Sequence, residues 1–354
     1  MYVDAVSAGL DLRTNQQYAS QTEAAGLDGL WFTESGRTAY LSCTSAVLAT
    51  ENLTVGTGIA VAFPRSPMIT AKVAWELAEA SGGRFVLGLG TQVKAHVERR
   101  YSTSFDHPGP RLREYVLALR SIFEAFQGDA SLEFSGDFYR FDLLPPTWSP
   151  GPIEHPDIPI YVAAVRPWMV RMAGEVSDGV HAHPFHSQRY LAEVVRPGIA
   201  EGAAAAGRNA DDVSVVVPVM TATGDTDAEI AQWRERARQM ISFYGSTRTY
   251  RGVFEQHGWH GVSDKLHELQ AKGDFDGMAA QITDEMLEVY AVTATWDGLA
   301  AALVERYSGV ADRLVMYFAG TRWRNDRDVL ERFGDVARQV RALTGTASAG
   351  DGMA

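Results

Sequence analysis

A chain of 354 residues, 46% of them hydrophobic, can bury one large core, so a single large α/β barrel competes with two smaller domains. Its 32 basic against 44 acidic residues leave a net charge of −12, which argues against a nucleic-acid partner or an anionic membrane surface and favours a soluble protein. The single cysteine, Cys43, excludes an intrachain disulfide framework and a cysteine-held metal centre; with no apolar run near the ~20 residues of a membrane span and no signal peptide at Met1, a cytoplasmic location is expected.

Strand-like and helix-like runs alternate from the start. Residues 2–6 read as a strand, and the helix at about 14–25 stops at Gly26, a glycine in C-cap position. A second strand over 28–33 ends on Glu34-Ser35-Gly36 and leads into a helix at about 41–50. The third strand opens the stretch LTVGTGIAVAFPRSP, residues 53–67, in which Gly56 and Gly58 flank one residue and Pro64-Arg65-Ser66-Pro67 breaks the run. Glycines there allow unusual torsions or the close approach of a flat ligand. Ser66-Pro67 starts a helix that ends at Gly82-Gly83. The fourth strand, FVLGLG over 85–90, again alternates glycines, the mark of a crowded interior or a close ligand.

After it comes an amphipathic helix at 111–126 and a long aromatic stretch, 129–159, with a β-hairpin turning at Gly136. The alternation resumes with strands at 158–165 and 178–184, each followed by a helix (167–176 and 188–207). A nearly all-apolar strand at 213–221 reads as one buried on both faces. Helices at 227–243, 262–272, 275–290 and 296–307 precede a strand at 311–318 and a closing helix at 325–343. Eight strands alternating with helices is the count of a (β/α)₈ TIM barrel. The reading is one domain over 1–343, with insertions at about 102–156 after strand four and 245–295 between strands seven and eight, and a flexible tail at 344–354.

In such a barrel the chemistry sits on the loops at the C-terminal ends of the strands. The candidates there are Glu34 and Ser35 after strand two, Gly58, Ile59, Ala60 and Val61 after strand three, and Thr91 and Gln92 after strand four. Strand five contributes Ala163, Ala164, Val165 and Arg166, and strand six His181 and His183. Arg166 precedes Pro167 at a helix start, where backbone N–H groups also point, a natural phosphate position. His181 and His183 share one strand face as metal ligands often do, but no third ligand accompanies them, so a hydrogen-bonding or proton-donating histidine is the stronger reading. Glu34 either pairs with a neighbouring loop or accepts a hydrogen bond from a buried heterocycle. No nucleophile elbow or P-loop is present, and GTGIAV and GLGTQV both fail the dinucleotide fingerprint.

Three strings, AAGLDGLWFTES, LTVGTGIAVAFPRSPMITAKVAWELAEASGGRFVLGLGTQ and IPIYVAAVRPWMVRMAGEVSDGVHAHPF, make the chain resemble the bacterial luciferase-like superfamily of flavin and deazaflavin barrels over residues 4–319. Within it the chain is most similar to coenzyme F420-dependent oxidoreductases. The resemblance implies a cis peptide at Gly58-Ile59 and a bulge that presses Ile59 and Val61 against one face of the ring. Thr91 and Gln92 would border ring and tail, and the segment from Ala163 to Arg166 would hold the cofactor phosphate. The chain departs from many F420 enzymes in carrying Glu34-Ser35 where they have Asp-His, and Val93 where they have an acid. These departures point to hydride transfer from reduced F420 to an activated C=C or C=N bond, with the proton from His183, from Ser35 through water, or from solvent. The alternatives are an FMN-dependent luciferase-like monooxygenase, a metal-dependent barrel hydrolase and a non-catalytic flavin-binding relative. The expected partner is a small-molecule substrate, in a homo-oligomer that is a dimer.

Overall fold

Short apolar runs rich in β-branched and aromatic residues pair edge to edge, and the helices between them bury one stripe each against the outside of the resulting sheet. The computed structural model describes residues 1–7 and 9–346. Its parallel strands are β1 (Tyr2–Ser7), β2 (Gly29–Phe32), β3 (Thr54–Thr57), β4 (Phe85–Gly90), β5 (Ile160–Ala163), β6 (Gly179–His181), β7 (Ser214–Gly224) and β8 (Arg313–Met316). Each pairs with the next, and β8 returns to β1, with Tyr2 opposite Arg313. The sheet is therefore a closed (β/α)₈ barrel, as the strand count predicted.

The barrel interior is filled by Trp31, Val86, Tyr161, Val216 and Val315, with Val6 packed against them. These six side chains come from six different strands, so the centre is a packed core and not a channel. Towards the N-terminal ends of the strands the core meets an ion pair. Asp4, fully buried, accepts from Arg313 at 2.7 Å through each carboxylate oxygen and from the Trp31 indole N–H at 2.8 Å.

The stretch between β4 and β5 carries the helices Lys94–Arg99 and Pro108–Gln127, and the hairpin of Phe134–Ser135 with Arg140–Phe141 turns at Gly136. Helix Pro108–Gln127, which packs on helix Pro67–Ser81, is itself one of the barrel's outer helices and lies within the 102–156 stretch. Between β7 and β8 the expected helix at 275–290 is two helices, Phe275–Ala280 and Asp284–Tyr290. The break has a local cause. Thr283 caps the second helix, its hydroxyl accepting from the Met286 N–H at 3.2 Å, with Asp284 and Glu285 in the first turn.

Ala291–Thr295 then forms a strand that the sequence reading missed. It pairs in parallel with the far half of β7, from Met220 opposite Ala291 to Gly224 opposite Thr295. Its Val-Thr-Ala-Thr composition was the available signal, masked by helices on both sides. Of the tail at 344–354, Thr344 closes the last helix and Gly345 caps it in the left-handed conformation, while 347–354 lie outside the described residues.

Candidate functional site

The third strand is interrupted where its glycines cluster. β3 ends at Thr57, the Gly58-Ile59 peptide is cis, and pairing resumes at Ala60–Val61. Gly56 sits opposite Val86 and Ala60 opposite Leu89, so the third strand uses one residue more than its neighbour and forms a bulge. The Thr57 hydroxyl bridges the gap in the ladder by donating to the Gly88 carbonyl at 2.6 Å and accepting from the Gly88 N–H at 2.8 Å. The alternating glycines of β4 are explained by this crowding. A Cβ on Gly88 would stand 1.9 Å from the Thr57 carbonyl oxygen, and one on Gly90 would stand 2.7 Å from Ile59 Cδ1 and 3.3 Å from the Ala163 Cβ. Ile59, Gly90 and Ala163 therefore converge at the barrel mouth.

Glu34, buried at the tip of β2, closes onto the bulge. Its Oε2 accepts from the Val61 N–H at 2.7 Å and from Arg65 Nη1 at 2.9 Å, and its Oε1 pairs with Arg65 Nη2 at 2.5 Å. Both oxygens are thus engaged by protein groups, the loop-pairing arrangement of the two the sequence offered. Ser35 is exposed, and its carbonyl accepts from Arg100 at 2.5 Å, which ties the end of helix Lys94–Arg99 to the β2 loop. Thr91 and Gln92 are partly buried at the end of β4, and Gln92 holds a left-handed backbone with φ of 58°. A non-glycine residue in that region is uncommon and tends to sit where a loop is constrained for a purpose.

At the end of β5 the chain turns into helix Pro167–Val176 through Ala164, Val165 and Arg166. A cleft of about 390 Å³ opens there, lined by Val165, Arg166 and Tyr190 from the barrel and by Arg248, Tyr250 and Arg251 from the β7–β8 insertion. The Tyr190 hydroxyl donates to the Val165 carbonyl at 2.5 Å. Arg248 and Arg251 make only loose contacts, at 3.5 Å to Asp264 and 3.9 Å to Glu255, and Arg166 makes no ion pair among the described residues. An acidic chain thus gathers three guanidinium groups beside the first turn of a helix, with the Glu255 carboxylate on the same lining, an excess of positive charge suited to an anion. A second cleft, of about 370 Å³, lies by Gly82, Gly83 and His155 at the N-terminal end of β4, away from the strand ends that carry the candidates.

The two histidines of strand six have different surroundings. His181 is buried inside the barrel, its ring edge-on to Trp31 at 4.7 Å, and its Nε2 has no hydrogen-bond partner among the described residues. His183 stands against Tyr244 of helix Asp227–Gly245, 4.7 Å between ring centroids, and Tyr250 of the insertion, at 4.3 Å. Its Nδ1 accepts from the Phe185 N–H at 3.1 Å, which leaves the ring hydrogen on Nε2. The Tyr244 hydroxyl is hydrogen-bonded to that of Tyr317 at the end of β8. Among the described residues no three of His, Cys, Asp and Glu gather as a metal site.

Burial lowers His181 and His183 from 6.5 to about 3, and His186, bonded to the His183 carbonyl and Tyr307, to about 4. A base whose folded pKa is lowered binds fewer protons than it does in the unfolded chain. Stability is therefore expected to be full above about 6.5 and to fall as pH drops from there towards 3 to 4. Urea unfolding at pH 7 and pH 5, with proton NMR of the nine histidines, checks this. Three imidazoles that titrate near 6.5, with no loss of stability at pH 5, would contradict it.

Sequence reasoning placed the residues of strands two to five and His183 at one end of the barrel, and the structure brings them there. It missed Arg65, Tyr190, Tyr244, Arg248, Tyr250, Arg251 and Tyr317. Arg65 stood in the quoted PRSP break, and the run STRTYRG at 246–252 carried a basic and aromatic signal in an insertion that had no assigned place.

The model of the luciferase-like monooxygenase family matches residues 3–313. An uncharacterised protein of Mycobacterium tuberculosis is 44% identical over 296 residues, which is 84% of this chain and 87% of that protein. The 5,10-methylenetetrahydromethanopterin reductase of Archaeoglobus fulgidus is 30% identical over 299 residues, 82% of this chain and 85% of the reductase. Among solved structures, the coenzyme F420-dependent tetrahydromethanopterin reductase of Methanopyrus kandleri superposes with a TM-score of 0.79 at 20% identity, covering 95% of this chain and 98% of that one.

Proposed function

This chain belongs to the luciferase-like monooxygenase family, and on that premise we propose that it is a coenzyme F420-dependent oxidoreductase acting on a small organic substrate at the barrel mouth. The observation that carries the reading is the arginine-lined cleft at the end of β5, which suits a cofactor ending in a phosphate and an acidic tail. Arg166 and the backbone at Ala163, Ala164 and Val165 would hold the phosphate, with the Ala164 N–H already donating to the His181 carbonyl at 3.3 Å, and Arg248 and Arg251 would take the acidic groups beyond it. Gly58, Ile59, Ala60 and Val61 would form the surface for the ring, with Thr91 and Gln92 at its border. When bound, the deazaflavin supplies a hydride from C5 to the substrate, or takes one from it.

The rest is done by the chain. His183, neutral with its hydrogen on Nε2, donates a hydrogen bond at the mouth and stays uncharged at neutral pH. The Tyr244 and Tyr250 rings beside it exclude water from one side, and burial holds the Tyr244 hydroxyl above its usual pKa range, so it stays protonated. Glu34 holds the bulge, and Ser35 is left to relay a proton through water. FMN with O₂ chemistry is the competing reading, since a single phosphate also suits Arg166.

Fluorescence titration with each cofactor separates the two. Saturable binding of F420 in the micromolar range is expected, weaker for FMN, and Arg166→Ala is expected to weaken F420 about 10- to 100-fold, the loss of one or two charge-assisted hydrogen bonds. Tighter binding of FMN than of F420, or O₂ uptake during turnover, would overturn the F420 assignment.

A further inference from the structure

Beyond Thr57 the third strand loses its neighbour on one side. β2 stops at Phe32, and the last backbone link between the two strands is the Gly58 N–H donating to the Phe32 carbonyl at 2.9 Å. On the other side the resumed segment is held by β4, where the Ala62 N–H donates to the Gly90 carbonyl at 3.0 Å. Val61, between them, turns its own N–H and C=O towards the missing strand. A buried peptide group cannot be left without partners.

Two side chains take the place of that strand. The Val61 N–H donates to Glu34 Oε2 at 2.7 Å, and the Val61 C=O accepts from Arg65 Nη1 at 3.1 Å. Glu34 and Arg65 close the ring with a two-point ion pair, at 2.9 Å and 2.5 Å. Arg65 is fixed in turn. Its guanidinium lies 5.0 Å from the Tyr40 ring centroid, and its carbonyl accepts from the Tyr115 hydroxyl at 3.2 Å. Tyr115 is held by Thr70 at 2.5 Å. The planar fork spreads these contacts over two nitrogens, Nη1 to Glu34 Oε2 and the Val61 carbonyl and Nη2 to Glu34 Oε1, whereas an ammonium has one nitrogen for all three acceptors.

We propose that Arg65 is a positioning residue which, with Glu34, stands in for the absent β2 strand and sets the orientation of the Val61 peptide, and with it the ligand-facing surface of the bulge. The part of this that concerns a ligand rests on the cofactor reading above; the peptide lock does not. Loss of the fork frees the Val61 peptide, and a flat ring then meets a surface that no longer has one shape.

Arg65→Lys keeps the charge and loses the fork, and Arg65→Gln keeps one donor and loses the charge. In each, amide exchange across residues 58–62 is measured without ligand, the melting temperature by circular dichroism, and affinity by fluorescence titration with F420 and with FMN. The expected result is exchange at Val61 at least tenfold faster in both variants. With it comes an affinity loss of at least tenfold for Arg65→Gln, partly restored in Arg65→Lys, in protein that melts as a folded barrel. If Arg65→Gln does not fold, Arg65→Lys carries the comparison. Unchanged exchange at Val61, or faster exchange with unchanged affinity, overturns the proposal. Should the unaltered protein bind neither cofactor while Arg65→Lys still speeds exchange at Val61, the lock stands and the cofactor assignment falls.

Discussion

Replacing Gly88 with alanine is expected to destabilise the protein by about 3 kcal/mol or more and to abolish ligand binding at the mouth. The added Cβ would stand 1.9 Å from the Thr57 carbonyl oxygen and 2.8 Å from His181 Nε2. A flexible side-chain tip can give way, but a strand carbonyl in a closed barrel cannot move without shifting its neighbours. The same methyl would disturb the Thr57 hydroxyl, which makes both of its bonds to Gly88. Because the clash lies directly beside the bulge, loss of affinity and loss of stability come together. Urea unfolding and cofactor titration of Gly88→Ala check this; Gly82→Ala, at a helix end where nothing stands within 4 Å of the added Cβ, gives the cost of losing a left-handed glycine, φ 59°, without a clash, a cost that Gly88 does not carry. A Gly88→Ala protein within 1 kcal/mol of the original would mean that the two strands are not as tightly apposed as described.

Asp4→Ala has a comparable expected cost, about 3 to 5 kcal/mol, for an electrostatic reason. Asp4 is fully buried and takes three hydrogen bonds, two from Arg313 and one from the Trp31 indole. Its removal leaves a buried guanidinium with no carboxylate beside it and an indole N–H with no acceptor. The substitution also empties space at the base of the barrel, where the Trp31 ring is 1% exposed. Asp4→Asn retains an acceptor for one donor and is expected to cost less than alanine. Denaturant unfolding of the pair gives the comparison, and an alanine variant no less stable than the asparagine one would show that the buried charge was not the deciding term. Folded Asp4→Ala protein is expected to keep cofactor affinity, since Asp4 lies at the opposite end of the strands from the mouth. The two substitutions thus divide the barrel into a base that supplies stability and a mouth where stability and binding are joined.

The eight strands were legible because each is a local pattern. Alternating or continuous apolar runs are bounded by cap glycines and helix-starting prolines, and Gly26, Gly82 and Gly345 all take the left-handed conformation that ends or follows a helix. The position of the bulge came from the family resemblance; the residues alone offered two glycines flanking one residue, and Trp31 leaves Gly56 no room for a Cβ. The split of the helix at 275–290 was within reach of the Thr283 cap, but the strand at Ala291–Thr295 was not, because five residues have too short a period to outweigh the helices around them.

What the sequence determined by itself, then, is the barrel, the order of its strands and the end at which the candidate residues collect, because the physics that dictates them acts between residues close in the chain. The partners of those residues were decided by tertiary structure alone. Glu34 and Arg65 lie 31 positions apart and meet only because β2 stops at Phe32, level with Thr57, while the third strand resumes beyond it at Ala60–Val61. Arg166 shares a cleft with Arg248 and Arg251 because the insertion folds back over β5, which no local pattern encodes. His183 is neutral because burial disfavours its charged form, its ring covered by Tyr244 of helix Asp227–Gly245 and by Tyr250 of the turn Arg248–Tyr250. Sequence spacing can put an ionisable group at the mouth of a barrel, but its charge depends on what is packed against it.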